Sequence, residues 1–410
     1  MELFHILSAV VSLSAVLAFV NQRYVKLPAG IALMLAGLIL SLVIQAIGAL
    51  SPPFQEMIVK NLETINFSTI VLDFMLSFLL FAGALHTDYT KLKEVRKPII
   101  TYATFGVIFC TFLVGSGVYG ILYAIGQPIN YIFCLLFGAL ITPTDPVAVM
   151  GILKKAGVPK KVETTIVGES LFNDGVGVVV FLTLMEIARM GIEQMSASDV
   201  GMLVLQEIGG GLGLGVLLGW AGYKIMKRID HYPTEVMITL AIVMGGYSTA
   251  VLLHFSGPLA MVAAGLLIGN SEHKGAMSDM TADYVHKFWE MMDEILNAVL
   301  FVLIGLELLL VPFEWKFLWI GMLAILIVIG SRYVALAVPS RLFGFLKDYP
   351  KGTLQVMTWG GLRGGISIAL ALSLSADMAR DFWVPITYTV VIFSLLVQGL
   401  TVEKVARTLR

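Results

Sequence analysis

Thirteen apolar runs divide this 410-residue chain, and they limit what it can fold into more than any other feature. They extend over Leu3 to Val20, Gly30 to Leu50, Phe67 to Leu85, Ile99 to Ile125, Tyr131 to Gly151, Val162 to Ala188, Val200 to Gly222, Val236 to Leu253, Pro258 to Gly269, Met291 to Val311, Phe317 to Pro339, Thr353 to Ala376 and Trp383 to Val402. A helix needs roughly 20 mostly apolar residues to cross a bilayer, so these runs take up nearly the whole chain and leave no stretch for a soluble domain. Composition agrees: 58% hydrophobic and 13% charged residues, with a mean hydropathy of +0.89, supply too little polar surface for a water-exposed globule. The expected class is an all-α polytopic membrane protein with lipid as its solvent. A net charge of -1 offers nothing to nucleic acid. Cys110 and Cys134 both fall in apolar runs and are expected to be reduced core residues. The first twenty residues carry Glu2 and His5 in place of a basic start, so they read as a retained helix.

Charge tests the count. With the amino terminus outside, the inside segments hold 21 of the 27 Lys and Arg residues, the outside segments hold four, and Arg332 and Arg363 lie within spans. Positive residues crowd cytoplasmic loops, which predicts a multi-pass protein of the cytoplasmic (inner) membrane with its carboxyl terminus inside. Thirteen then divides into a first repeat over 1–190, a linker helix over 200–222 and a second repeat over 236–402. The two six-helix halves start on opposite faces and are expected to be inverted copies, an architecture in which matched interrupted helices hold a solute near the midplane. The short ninth run, Pro258 to Gly269, is expected to be tilted, broken or partly re-entrant.

Two runs carry their own breaks. The fifth contains Thr142-Pro143-Thr144-Asp145-Pro146, where two prolines three apart free backbone groups that lipid cannot satisfy. The twelfth, fifth of its own half, contains Gly360-Gly361-Leu362-Arg363-Gly364-Gly365, four glycines around one permanent charge. A proline kink or a glycine packing stripe explains either alone. At matched positions, each with an ionisable residue, the pair points to a solute site: Asp145 is placed to offset the positive end of a half-helix, and open carbonyls supply oxygen ligands to a small cation.

The sixth run reads Glu169-Ser170-Leu171-Phe172-Asn173-Asp174-Gly175. Acids at membrane depth are costly and need partners or a task. At helical spacing Ser170 and Asp174 share one face, and Glu169 and Asn173 share the next. Ser170 and Asp174 offer hard oxygen donors suited to an alkali cation, and a carboxylate releases that cation by taking a proton, so the two compete for Asp174. Arg363 cannot lose its charge and needs a carboxylate inside the membrane; Glu169 is assigned to that ion pair ahead of direct ion coordination. Arg332, on a helix of otherwise bland composition, is left unassigned.

At these residues the chain resembles the monovalent cation:proton antiporter-1 family, the NhaP-type sodium/proton antiporters related to animal sodium/proton exchangers. Thr-Asp-Pro-Val-Ala-Val at Thr144 to Val149, Glu-Ser-Leu-Phe-Asn-Asp-Gly at Glu169 to Gly175 and Gly-Leu-Arg-Gly at Gly361 to Gly364 carry the match, with a weaker one at Phe78 to Gly83 leading to Asp88. The resemblance covers essentially the whole membrane region. It implies a thirteen-helix fold, a homodimer, and exchange of one sodium or lithium for one proton without any cofactor. It also implies ligation by the Asp174 and Asp145 carboxylates, the Ser170 hydroxyl and the Thr144 carbonyl, with Asn173 orienting the site and Glu169 bridging to Arg363. Electrogenic relatives have two adjacent aspartates where this chain has Asn173-Asp174, which argues for electroneutral exchange. Potassium in place of sodium stays open.

Several ionisable residues have blander readings. Asp73 is an access-path candidate. Glu186, Glu207, Glu290, Asp293, Glu294 and Glu307 are expected in solvated funnels or packing pairs. His86, His231, His273 and His286 sit at predicted cytoplasmic ends, where a solvated helix-end side chain is the commoner reading and a pH sensor the alternative. Other functions fit less well. An intramembrane aspartyl protease needs a Gly-x-Gly-Asp element, which is absent, and neither a zinc-protease nor a serine-hydrolase motif occurs. A phosphate-binding loop for an ATP-driven pump is missing too. A passive channel predicts a repeated filter, and a sodium-coupled organic-anion carrier predicts solute uptake.

Overall fold

A computed structural model describes residues 2–63, 66–145, 147–191, 196–270, 275–311 and 314–409. Pro146 and His273 fall outside the described residues. The described residues are helical nearly throughout and contain no strand, as continuous apolar runs in lipid require, since a helix satisfies its own backbone. Nine helical stretches among them are long and apolar enough to cross a membrane.

The runs with internal breaks fold as pairs of half-helices. Tyr131–Ile141 and Val147–Ala156 flank the first break, and Thr353–Trp359 and Gly365–Leu372 flank the second. Between them lies the long helix Lys160–Met190, called here the carboxylate helix. Glycine lets these elements meet closely. A Cβ on Gly177 would lie 2.6 Å from the Pro143 ring, so the carboxylate helix rides directly on the first break. One on Gly138 would lie 2.3 Å from the Thr111 carbonyl, which holds the first half-helix against Val107–Ala124.

Two elements depart from the sequence expectation. The ninth run forms one unbroken helix, Gly257–Gly269, buried on nearly every side. Ser256 caps it, Pro258 occupies its first turn, and its all-apolar surface suits a central position. The tenth helix starts at Asp279, ahead of the expected Met291, because Ser278 caps a polar leader that hydropathy alone does not register. A helix over Pro52–Glu63, between the second and third apolar runs, packs through Leu62, with Ile58 beside it. Cys110 and Cys134 are both buried and free.

Candidate functional site

The two breaks cross and bond to each other: the Asp145 amide donates to the Leu362 carbonyl at 2.8 Å. Each break leaves polar groups that a helix would have satisfied, and the partner segment takes them up. Arg363, 2% exposed, donates through Nη1 to the carbonyls of Thr142 and Pro143 at the end of the first half-helix. Its own amide donates to Ser394 Oγ at 2.9 Å. A permanent cation thus sits at the negative end of one half-helix, while Asp145 lies just before the positive end of the next.

Beside this crossing the carboxylate helix presents Glu169, Ser170, Asn173 and Asp174, each no more than 4% exposed. The four-residue spacing places the Asn173 amide over Glu169, and Nδ2 donates to Glu169 Oε1 at 2.7 Å. The same nitrogen donates to Thr144 Oγ1 at 2.7 Å, and Asn173 Oδ1 accepts from the Thr144 amide at 3.2 Å. These contacts settle the amide's orientation, because a flipped Asn173 would face an N–H with its NH2 and a carboxylate with its oxygen. Thr144 Oγ1 is therefore an acceptor from Asn173, and it is paired with Ser170 Oγ 3.0 Å away, either hydroxyl being able to donate to the other. The hydroxyl pair Thr144–Ser170 is thereby oriented by a side chain one turn further along.

Glu169 is held from its other side by Arg332, with Nη1–Oε1 at 2.9 Å and Nη2–Oε2 at 2.7 Å. Both side chains are buried, and the planar fork meets the carboxylate at two points. This corrects the sequence expectation: the partner of Glu169 is Arg332, not Arg363. Arg363 is committed to the carbonyls freed by Pro143, and only Arg332, on helix Trp315–Phe343, directs its fork at Glu169.

Asp174 is 4% exposed, and its Oδ1 has no hydrogen-bond partner among the described residues. Its charge is opposed by that of Asp145 and by that of Glu169, and is offset in part by that of Arg363. A buried carboxylate oxygen without a hydrogen-bond donor is costly.

A family model described as the transmembrane sodium/hydrogen exchanger matches residues 9–408. The chain belongs to the sodium/hydrogen exchanger family. It is 46% identical to the Na(+)/H(+) antiporter NhaP of Pseudomonas aeruginosa over 98% of this chain and 96% of that one. It is 33% identical to the Na(+)/H(+) antiporter NhaH of Halobacillus dabanensis, over 94% of this chain and 93% of the relative. Its fold matches that of the sodium proton antiporter MjNhaP1 from Methanocaldococcus jannaschii with a TM-score of 0.73 at 20% identity, covering 100% of this chain and 99% of that one.

In this exchanger the structure draws Thr144, Ser170, Asn173, Glu169 and Arg332 into one hydrogen-bonded chain, with Asp174 one turn from Ser170 and Asp145 in the first break. Asp73 stands apart from them. It is exposed, in the wide-turned segment Ile70–Met75, where the Tyr247 hydroxyl takes the neighbouring Leu72 carbonyl at 2.6 Å. Arg332 is the residue that sequence reasoning passed over. Two intramembrane arginines competed for one carboxylate, and no spacing rule links positions 163 apart.

Proposed function

We propose that this exchanger is a secondary antiporter moving sodium or lithium against protons by alternating access, with cation and proton competing for Asp174. The observation that carries the reading is the buried, unpartnered Asp174 Oδ1 beside an oriented hydroxyl pair. A carboxylate so placed is stable with one positive charge and not with none or two. Asp174, Asp145, the Ser170 hydroxyl and the Thr144 carbonyl are the proposed cation ligands. Asn173 orients Thr144 and Ser170, and Glu169, neutralised by Arg332, stays out of the proton cycle. Only Asp174 then alternates, so exchange is one for one and electroneutral.

The proposed frame is thirteen crossings in two inverted repeats, with the two broken pairs as the fifth and twelfth, the amino terminus outside and the carboxyl terminus in the cytoplasm. The broad apolar faces of the spans Leu7–Val25 and Ser198–Met226 are open to lipid and to a second copy, as in a homodimer. Such a carrier serves sodium and pH homeostasis.

The test is dequenching of a pH dye in everted vesicles on adding sodium, lithium or potassium in turn. Dequenching by sodium or lithium and not potassium is expected. A response to potassium alone would make this a potassium/proton antiporter, and no response to any of the three would defeat the reading. Stoichiometry is read from the proton gradient at which flux stops. For one-for-one exchange that null point does not move with membrane potential, whereas net movement of one charge contributes about 2.3 kcal/mol per 100 mV.

A further inference from the structure

The last span runs through the helix Arg380–Phe393, a wide turn over Ser394–Gln398 and the helix Gly399–Ala406. In the wide turn the Gly399 amide reaches back five residues to the Ser394 carbonyl, and an inserted turn of this kind frequently lies at a functional site. Its two polar side chains, Ser394 and Gln398, are buried and both bond to the second break. Gln398 Nε2 donates to the Trp359 carbonyl at 3.4 Å, where the first half-helix ends. Thr401 Oγ1, further along the span, accepts from the Trp359 indole at 2.9 Å. Ser394 Oγ accepts from the Arg363 amide at 2.9 Å.

The Arg363 N–H and the Leu362 carbonyl belong to one peptide group, and that carbonyl accepts from the Asp145 amide at 2.8 Å. A single planar unit thus carries a hydrogen bond at each end, with the Ser394 hydroxyl oxygen on one side and the backbone of a proposed cation ligand on the other. Because the unit is rigid, turning its N–H end turns its carbonyl end with it, and two bonds in line through one amide strengthen each other. The same segment also meets the Asp145 side chain: a Cβ on Gly364 would lie 2.9 Å from Oδ2. Any buried acceptor would satisfy a freed amide. What distinguishes Ser394 is that the amide it takes shares its plane with the carbonyl that holds Asp145.

We propose that Ser394 is a positioning residue for the ion site, which fixes the Asp145 backbone, and with it the carboxylate, through the Leu362–Arg363 peptide. This rests on Asp145 as a cation ligand and adds a residue that does not touch the ion. Losing the Ser394 oxygen frees the peptide to rotate, and Asp145 then meets the cation from a broader range of positions.

The full chain is studied in everted vesicles, with initial sodium-driven proton flux and the thermal midpoint measured on each variant. Ser394→Ala is expected to raise KM for sodium about fivefold, the worth of one neutral hydrogen bond, with kcat little changed. Ser394→Thr keeps the oxygen and should restore the parent's KM. Thr401→Val deletes a bond between the same two elements without reaching the Leu362–Arg363 peptide, so it should lower the thermal midpoint and leave KM alone. Should Ser394→Ala fail to fold, Ser394→Cys, whose sulfur is only a weak acceptor, is read in its place. The parent's KM in that variant, a rise that Ser394→Thr does not reverse, or an equal rise in Thr401→Val would each overturn the proposal. Asp145→Asn is measured alongside: if it keeps the parent's KM while Ser394→Ala raises it, Ser394 does not act through Asp145 and the proposal falls. Absence of sodium-driven flux in the parent would instead defeat the exchange reading itself.

Discussion

Glu169 and Arg332, on two different helices, face each other through a pair of short hydrogen bonds, 2.7 and 2.9 Å, with both side chains buried. Removing either partner strands a buried charge, which costs roughly 3 to 5 kcal/mol in comparable pairs. Glu169→Gln and Arg332→Met should each lower the thermal midpoint in detergent sharply. The exchanged pair Glu169→Arg with Arg332→Glu should recover part of the loss, whereas Glu169→Arg with Arg363→Glu should recover none. Rescue by the Arg363 exchange would reinstate the pairing that the sequence alone suggested.

Asp174→Asn keeps the shape and burial of the side chain and removes the charge that proton and cation contest. A folded protein with no sodium-driven proton flux is expected, its thermal midpoint at or above the parent's, since the opposing charges of Asp145 and Glu169 lose a repulsive partner. Measurable exchange in this variant would take Asp174 out of the mechanism. Asp145→Asn should reduce flux in the same direction.

Local chemistry was legible in the sequence where it depended on spacing. Pro143 and Pro146, and the glycines from Gly360 to Gly365, announced where helices stop, because proline and glycine act on their own backbone. The interval of four residues put Asn173 and Glu169 on one face, where the structure bonds them. What stayed hidden was set by neighbours far along the chain. Arg332 and Arg363 are both buried cations, and choosing between them requires knowing that the freed Thr142 and Pro143 carbonyls claim the second. The early start at Asp279 was hidden for another reason: its signal is a Ser278 cap and an acidic first turn, which a count of apolar residues ignores.

Asn173 donates both amide protons, one to Glu169 and one to Thr144, and accepts the Thr144 amide. Asn173→Asp deletes both donations and sets two carboxylates 2.7 Å apart, where they cannot both be ionised. Lower thermal stability and weakened sodium affinity are expected together, because Thr144 and Ser170 lose their orientation. Should Asn173→Asp match the parent in both measurements, the hydrogen-bonded chain has no part in holding the site.

Outside the membrane spans, Asp88 caps the short helix Tyr89–Glu94, accepting from the Thr90 and Lys91 amides at 2.9 and 3.2 Å. Hydrogen bonds to Lys91, side chain first and amide next, hold its carboxyl below the usual carboxylate range. The sign follows: its contribution is present above the unfolded value near 3.9 and is lost as pH falls through the lower folded value. Asp88→Ala should cost about 0.5 to 2 kcal/mol at neutral pH, and the gap to the parent should close as the medium is acidified. A gap that persists undiminished at low pH would point to packing in place of the cap.

Two glycines three residues apart separate the ion pair from the ion site. A Cβ on Gly361 would lie 2.5 Å from Arg332 Nε, and one on Gly364 would lie 2.9 Å from Asp145 Oδ2. Neither has the positive backbone angle that would strain any side chain, so each alanine reports only on what it pushes. Gly361→Ala displaces the guanidinium from Glu169 and should lower the thermal midpoint, with an overpacking cost of about 1 to 3 kcal/mol. Gly364→Ala displaces a proposed cation ligand and should raise KM for sodium severalfold while the midpoint moves less. Melting curves and sodium titrations of the two variants, run side by side, decide the matter. If Gly364→Ala loses stability as Gly361→Ala does and keeps the parent's KM, Asp145 belongs to the structural crossing of the two breaks and not to the cation.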